Sequence, residues 1–123
     1  MSLNIPNITK VRDTIAALEP DRFDMAHWAS RIEDGGFASP SDLLHNCGTC
    51  GCIGGWTEAL FEDPAPVALG LDRQQEFDLF YPAGEGIISS YGDVTQAHAV
   101  TTLTKLIETG EVDWSHVPSD FNG

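Results

Sequence analysis

The sequence feature that most constrains the fold is the segment 45–56, HNCGTCGCIGGW, which contains all three cysteines and a third of the glycines. A helical apolar pattern begins inside it, at Ile53, and continues to about residue 62. The hydroxyl of Thr49 is predicted to cap this helix at its N-terminus. That assignment places the second and third cysteines in the first turn.

Three glycines, at positions 51, 54 and 55, make this predicted helix unstable in isolation. Each glycine costs about 0.8–1 kcal/mol relative to alanine, so contacts that need bare backbone must recover roughly 2.5–3 kcal/mol. Close packing against another helix would do this, and so would direct approach of a ligand or partner chain. The predicted binding or structural motif comprises Cys47, Gly48, Thr49, Cys52, Gly54, Gly55 and Trp56.

The same segment offers four ligands of the types that zinc prefers, namely His45, Cys47, Cys50 and Cys52. Structural zinc sites usually take their ligands from two separated segments, whereas here all four come from eight consecutive residues. A more distant histidine, His27, His98 or His116, would complete a three-cysteine site instead. We predict no cofactor, with zinc as the alternative.

Two further chemistries would use Cys47 and Cys50, which form a C-x-x-C motif. A redox site is one, but the βαβ unit that accompanies thioredoxin-like motifs is missing from the pattern. A thiol nucleophile is the other, because the run matches the start of the papain-like C-G-[SA]-C-[WY] pattern, with His98 as a partner. Gly51 then stands where that pattern has an aromatic residue. Without a complete catalytic constellation, we expect the cysteines to be small buried hydrophobic residues.

The charge of the chain restricts its partners. Nineteen acidic residues against six basic ones give a net charge of −13. No Lys/Arg cluster is present to neutralise phosphates, so direct binding to nucleic acid is not expected. The carboxylates form either a solvated surface or a negative face that docks on a basic protein, for example by occupying its nucleic-acid groove.

Length and hydropathy predict one domain spanning residues 1–123, with 1–8 and 115–123 as frayed tails. No apolar run is long enough to span a membrane, and no signal peptide is recognisable. An odd number of cysteines is typical of free thiols in a reducing compartment. We therefore expect a cytoplasmic protein, with no membrane association and an undetermined oligomeric state.

The periodicity predicts an all-α fold, a single compact domain of about five to six short helices with the Gly/Cys-rich helix packed in the core. Helices are predicted at about 9–18, 25–33, 50–62, 65–70, 72–80 and 95–110, with short turns or loops at 39–44 and 83–93. Asp72 and Gln75 form a capping box, and Thr95 or Asp93 caps the last helix. Gly110 ends that helix.

The last helix is predicted to bury one face, comprising Ala97, Val100, Leu103/Thr104 and Ile107. The predicted helix at 25–33 would also bury one face, comprising Met25, Trp28, Ala29 and Ile32, and Asp24 would be its N-terminal cap. After the last helix, Val112 and Trp114 are expected to fold back onto the core.

With these residues in view, the chain resembles a group of small, largely uncharacterised proteins of tailed phages and bacterial genomes. The likeness lies in CGTxxCIxGW at 47–56 and TGEVDW at 109–114, together with Phe23-Asp24-Met25, Trp28, Leu69-Gly70-Leu71 and Leu79-Phe80. In that group Cys47 and Cys52 recur while position 50 varies, which weakens the interpretation of Cys47 and Cys50 as a redox site or a thiol nucleophile. The resemblance implies a phage or mobile-element setting, and because the group lacks an assigned activity, no catalytic role transfers from it to this chain.

Charge and resemblance together predict a small acidic protein that binds a host or phage macromolecule, a basic nucleic-acid-binding protein being the favoured kind. If it is phage-encoded, it would act in the host cytoplasm. The first alternative is a metal-binding protein or metalloenzyme that uses the three cysteines and a histidine. The second is a thiol enzyme.

Overall fold

In the computed structural model of the chain, the described residues are 3–19, 22–25, 28–32, 36, 38, 42–43, 48–61, 63–81, 94–115 and 117. They include five helices and two short strands. The helices are α1 (Ile5–Ala16), α2 (Ile53–Phe61), α3 (Ala65–Leu69), α4 (Arg73–Phe80) and α5 (Gln96–Thr109). The strands are β1 (Ala29–Arg31) and β2 (Thr49–Gly51).

Helix α1 begins four residues before its predicted start at Thr9. Its cap is Asn4, whose side chain accepts a hydrogen bond from the Asn7 amide at 3.2 Å. A proline in the first turn suits this position, because its missing N–H would have had no partner there. The helix buries Ile8, Val11 and Ile15 completely, so part of the predicted N-terminal tail lies in the core.

The prediction of a helix at residues 25–33 was wrong, because β1 forms there and pairs with β2 in an antiparallel sheet. Ser30 lies opposite Cys50 in this pairing. The apolar spacing matched a helix, but the strand gains hydrogen bonds from distant backbone that periodicity does not report. Ile32, expected on the buried face, is 40% exposed.

The predicted cap at Thr49 was also wrong, since this residue lies in β2 and its hydroxyl donates to the carbonyl of Asp42 at 3.2 Å. The residue that immediately precedes α2 is Cys52, and its carbonyl accepts a hydrogen bond from the Trp56 amide at 3.0 Å. Cys50 therefore lies in a strand and not in a helical turn. Gly51, at the end of β2, also accepts the Asp24 amide at 2.9 Å, so Asp24, the predicted cap of the helix at 25–33, is hydrogen-bonded to the sheet.

Helix α2 is the centre of the fold, as predicted. It is buried over most of its length and contacts α1, α3, α4 and β2. Its fully buried side chains include Ile53, Trp56 and Thr57, the last of which donates its hydroxyl to the Ile53 carbonyl at 2.7 Å. A helix with neighbours on several sides needs little polar surface, which explains its apolar composition.

The two short helices that follow were predicted correctly. Helix α3 ends at Gly70, which has a left-handed φ of 70°. Helix α4 has the predicted capping box, in which the Asp72 side chain accepts the Gln75 amide at 2.8 Å and the Gln75 side chain accepts the Asp72 amide at 3.0 Å. These caps use interactions within three residues, which is why the sequence alone revealed them.

Helix α5 was predicted with the correct ends but the wrong buried face. Thr95 caps it and Gly110 ends it. Its buried side chains are Ala99, Thr102, Leu103 and Leu106, so the face is rotated from the predicted one and only Leu103 is common to both. Val100 and Ile107 are partly buried at its margin.

The C-terminal segment folds back as expected. Trp114 is 2% exposed, and its indole donates to the Asp78 carbonyl at 2.7 Å. Val117 is also buried, within the segment predicted to fray.

The described fold is thus a mostly helical single domain with a small two-stranded sheet, and not the all-α fold expected from periodicity. The predicted turn at Ser39–Leu44, except Asp42 and Leu43, and the predicted loop at 83–93 lie outside the described residues. Among the helices described, none has the length and apolar character needed to cross a membrane.

Candidate functional site

The glycines of the central motif make room for a single tryptophan. A Cβ atom on Gly55 would overlap the carbonyl oxygen of Trp28, and a Cβ on Gly54 would overlap its indole ring. A Cβ on Gly51 would lie 2.7 Å from the same oxygen and 3.0 Å from Leu43. Gly51 lies in β2 and has no helix-propensity cost, whereas the cost at Gly54 and Gly55 is offset by close packing, as one of the two sequence hypotheses proposed.

The neighbour is not another helix, however, as the packing hypothesis assumed. It is the chain segment that leads into β1. Trp28 lies along α2 from Gly54 to Glu58, one turn later, and its indole N–H donates to the Glu58 carboxylate at 3.0 Å. The other oxygen of Glu58 accepts the amide of Ala65 at 3.2 Å, at the start of α3. Trp28 thus connects the sheet, α2 and α3.

Trp28 also begins a series of aromatic contacts that reaches the surface at the end of α4. Its ring packs edge-on against Phe80, with centroids 5.6 Å apart, and is stacked on Tyr81 at 6.2 Å. Tyr81 in turn lies 6.0 Å from Phe77. Phe77 and Tyr81 are each 39% exposed. We call this pair the aromatic ridge; its position is fixed from below by Trp28.

Acidic residues lie on α4, which carries Phe77, and on the segment 105–113, to which α4 is hydrogen-bonded. The Gln75 side chain donates to the Gly110 carbonyl at 3.3 Å, and Trp114 reaches Asp78 as described, so α4 is joined to the end of α5. Segments 72–78 and 105–113 carry six carboxylates and two basic residues. We call these carboxylates the acidic edge: Asp72, Glu76, Asp78, Glu108, Glu111 and Asp113.

Asp113, a member of the acidic edge, has a lowered pKa. Hydrogen bonds from Ser115, and the ammonium of Lys105 at 3.3 Å, lower its pKa from 3.8 to about 2. A lowered pKa stabilises the fold above pH 3.8, and this contribution is lost as the pH falls towards 2. Asp113 therefore stays ionised at every physiological pH.

Asp78, next to the ridge, accepts a hydrogen bond from the side chain of Gln74 at 2.8 Å. Gln74 orients the carboxylate without neutralising its charge, because an amide is uncharged. Arg73, the cation of α4, is exposed one turn before Phe77.

Much of the positive charge of the chain is engaged internally. Arg22 donates to the carbonyls of Leu43 at 2.5 Å and Thr49 at 3.1 Å, and its guanidinium lies 5.1 Å from the centre of the Trp56 ring. Arg12 pairs with its neighbour Asp13 at 3.0 Å. These contacts leave the surface carboxylates in large excess.

Both described cysteines are buried with free thiols. The Cys50 sulfur lies 3.4 Å from the hydroxyl of Ser30, its partner across the sheet. Burial raises the pKa of Cys52 from 9.0 to about 11, and hydrogen bonds from the amides of Gly55 and Gly54 oppose this only in part. A thiol with a raised pKa is a poor nucleophile at neutral pH, because only the thiolate reacts.

Cys52 should consequently react slowly with iodoacetamide. At pH 8 its thiolate population is roughly one hundredfold smaller than that of an ordinary thiol, since its pKa is about two above 9.0. Peptide mapping by mass spectrometry after a short alkylation pulse measures this, and the same pulse in denaturant is the control. Equal labelling in the native and denatured protein would contradict the burial argument and favour a thiol enzyme.

The metal hypothesis rests on residues that the structure describes only in part. His45 and Cys47 lie outside the described residues, as do His27 and His116. Within the described portion of the chain, no three potential ligands cluster around a common point. Elemental analysis of the purified protein remains the direct measurement for a zinc site.

Sequence reasoning missed three contributors to this region: Trp28 as the residue seated on the glycines, and Phe77 and Tyr81 as an exposed pair. The i, i+4 spacing of the pair was a usable signal, because such residues are neighbours on a helix surface. No local signal connects Trp28 to Gly54, since they belong to different elements.

Comparisons with protein families, with curated proteins and with solved structures found no match to this chain. The resemblance to phage proteins therefore stays a prediction.

Proposed function

We propose that this protein acts by binding a basic protein through its acidic surface, with the acidic edge as the docking region. The observation that carries the proposal is the charge balance. The chain has nineteen acidic residues and only six basic ones, so its net charge is −13. Such a surface attracts positively charged partners and repels nucleic acid.

The acidic edge is favoured over the rest of the surface because it adjoins exposed aromatic rings. Aromatic residues are enriched at the energetic centres of protein interfaces, whereas surrounding charges accelerate encounter and select partners. The ridge of Phe77 and Tyr81 supplies such a centre. A basic nucleic-acid-binding protein, from a host or a phage, is the kind of partner that this surface fits.

Fluorescence anisotropy of a labelled peptide with alternating arginine and lysine tests the proposal. We expect binding that weakens as salt is raised, because exposed charges are screened. A labelled DNA duplex of the same length should not bind. If the peptide does not bind even at low salt, the proposal is wrong.

A charge-matched pair of variants distinguishes docking at the edge from general attraction. Glu108→Lys with Glu111→Lys changes the edge, and Glu19→Lys with Asp63→Lys makes the same charge change at exposed positions outside it. We expect the edge variant to lose about tenfold more affinity than the control, or roughly 1.4 kcal/mol. Equal losses would contradict docking at the edge.

A further inference from the structure

We infer that the aromatic ridge and Asp78 form a binding site for arginine side chains of the basic partner, in preference to lysine. This inference rests on the proposed function and adds the chemistry that its partner must present. The relevant observations are the exposure and anchoring of the two rings, the carboxylate beside them, and an arginine bound in a comparable way inside the same protein.

The ridge offers flat apolar surface at a fixed position. Phe77 and Tyr81 lie with their centroids 6.0 Å apart and their planes tilted by 48°. Tyr81 is stacked on Trp28, which the close packing on α2 holds in place. Rings held in this way lose little conformational entropy when a partner covers them.

The neighbouring carboxylate supplies the second half of an arginine site. Asp78 follows Phe77 directly in α4 and lies three residues before Tyr81, the residue that caps the C-terminal end of the helix. The hydrogen bond from Gln74 leaves its negative charge in place. A guanidinium can stack on a ring and donate in its own plane to a carboxylate, whereas a lysine ammonium is a strongly hydrated point charge.

A part-buried arginine of the chain, Arg22, makes a related pair of contacts, with backbone carbonyls in place of a carboxylate. The Arg22 guanidinium lies 5.1 Å from the Trp56 ring centre while its N–H groups donate to carbonyl oxygens. One guanidinium in this fold therefore contacts an aromatic ring and oxygen acceptors at the same time.

Binding of labelled deca-arginine and deca-lysine at equal ionic strength tests the inference. We expect the wild-type protein to bind deca-arginine about fivefold more tightly than deca-lysine. Phe77→Ser should remove this preference by weakening the binding of deca-arginine about fivefold more than that of deca-lysine. Val67→Ser, at an apolar position that is 68% exposed and lies on α3, is the matched control and should keep the preference.

The outcomes separate the two proposals. Equal wild-type affinities for both peptides would overturn the arginine site and leave the proposed function intact, whereas failure of both to bind would overturn both. A preference that survives in a folded Phe77→Ser variant, checked by circular dichroism, would overturn the arginine site. So would a wild-type dimer that Phe77→Ser converts to monomer, because a second copy of the chain would then cover the ridge.

Discussion

Gly55→Ala should lower the free energy of unfolding by a net value of about 2 kcal/mol, because overpacking at this position costs about 3 kcal/mol, the upper end of its usual range. The added methyl group would overlap the Trp28 carbonyl oxygen, which belongs to the backbone and cannot move without shifting β1. The gain in helix propensity, about 1 kcal/mol, offsets only part of this cost. Urea unfolding followed by circular dichroism gives the value.

Gly54→Ala provides a matched comparison, because its methyl group would meet the Trp28 ring and not the backbone. In a Trp28→Leu background the ring is gone, so Gly54→Ala should become neutral or stabilising by up to about 1 kcal/mol. Gly55→Ala should keep its cost in that background, since every residue at position 28 has a carbonyl. Identical behaviour of the two glycines in the cycle would contradict the described packing.

Trp56→Ala should lower the free energy of unfolding by about 3–5 kcal/mol, the usual cost of truncating a large buried aromatic residue. Trp56 is 2% exposed, and its indole N–H donates to the carbonyl of Arg22 at 3.2 Å. Truncation removes buried apolar area, leaves that carbonyl without this donor, and takes the ring away from the Arg22 guanidinium. Thermal and urea unfolding both measure the loss.

Val67→Ala is the control for this truncation, because Val67 is an exposed apolar residue on the adjacent helix α3 and should cost less than about 0.5 kcal/mol. Trp56→Phe tests the mechanism, since it keeps most of the buried area but removes the indole donor. We expect an intermediate loss. A Trp56→Ala variant as stable as the wild type would show that α2 is not the centre of the core.

The consequences for function are linked through Trp28. The same close packing that makes Gly54 and Gly55 intolerant of substitution also fixes the ring on which Tyr81 is stacked. The cysteine and glycine motif thus positions Trp28, which contacts Tyr81 of the proposed binding surface. Cys52 of this motif is too deeply buried to be a reactive group.

Local interactions made several parts of the fold predictable from the sequence. The capping boxes at Asp72 and Thr95, and the glycine that ends α5, depend on contacts within a few residues. The helical conformation of residues 53–61 followed from periodicity in the same way. In each case the residues that determine the structure are neighbours in the chain.

Only the tertiary structure decided the remaining features. Residues 29–31 match a helical pattern but form a strand, because β2, some twenty residues away, supplies hydrogen bonds that outweigh a weak local preference. The buried face of α5 likewise depends on α1, against which it packs. Charge could be counted from the sequence, but the placement of Trp28 on bare helix backbone, and of the aromatic ridge beside the acidic edge, required contacts between distant segments.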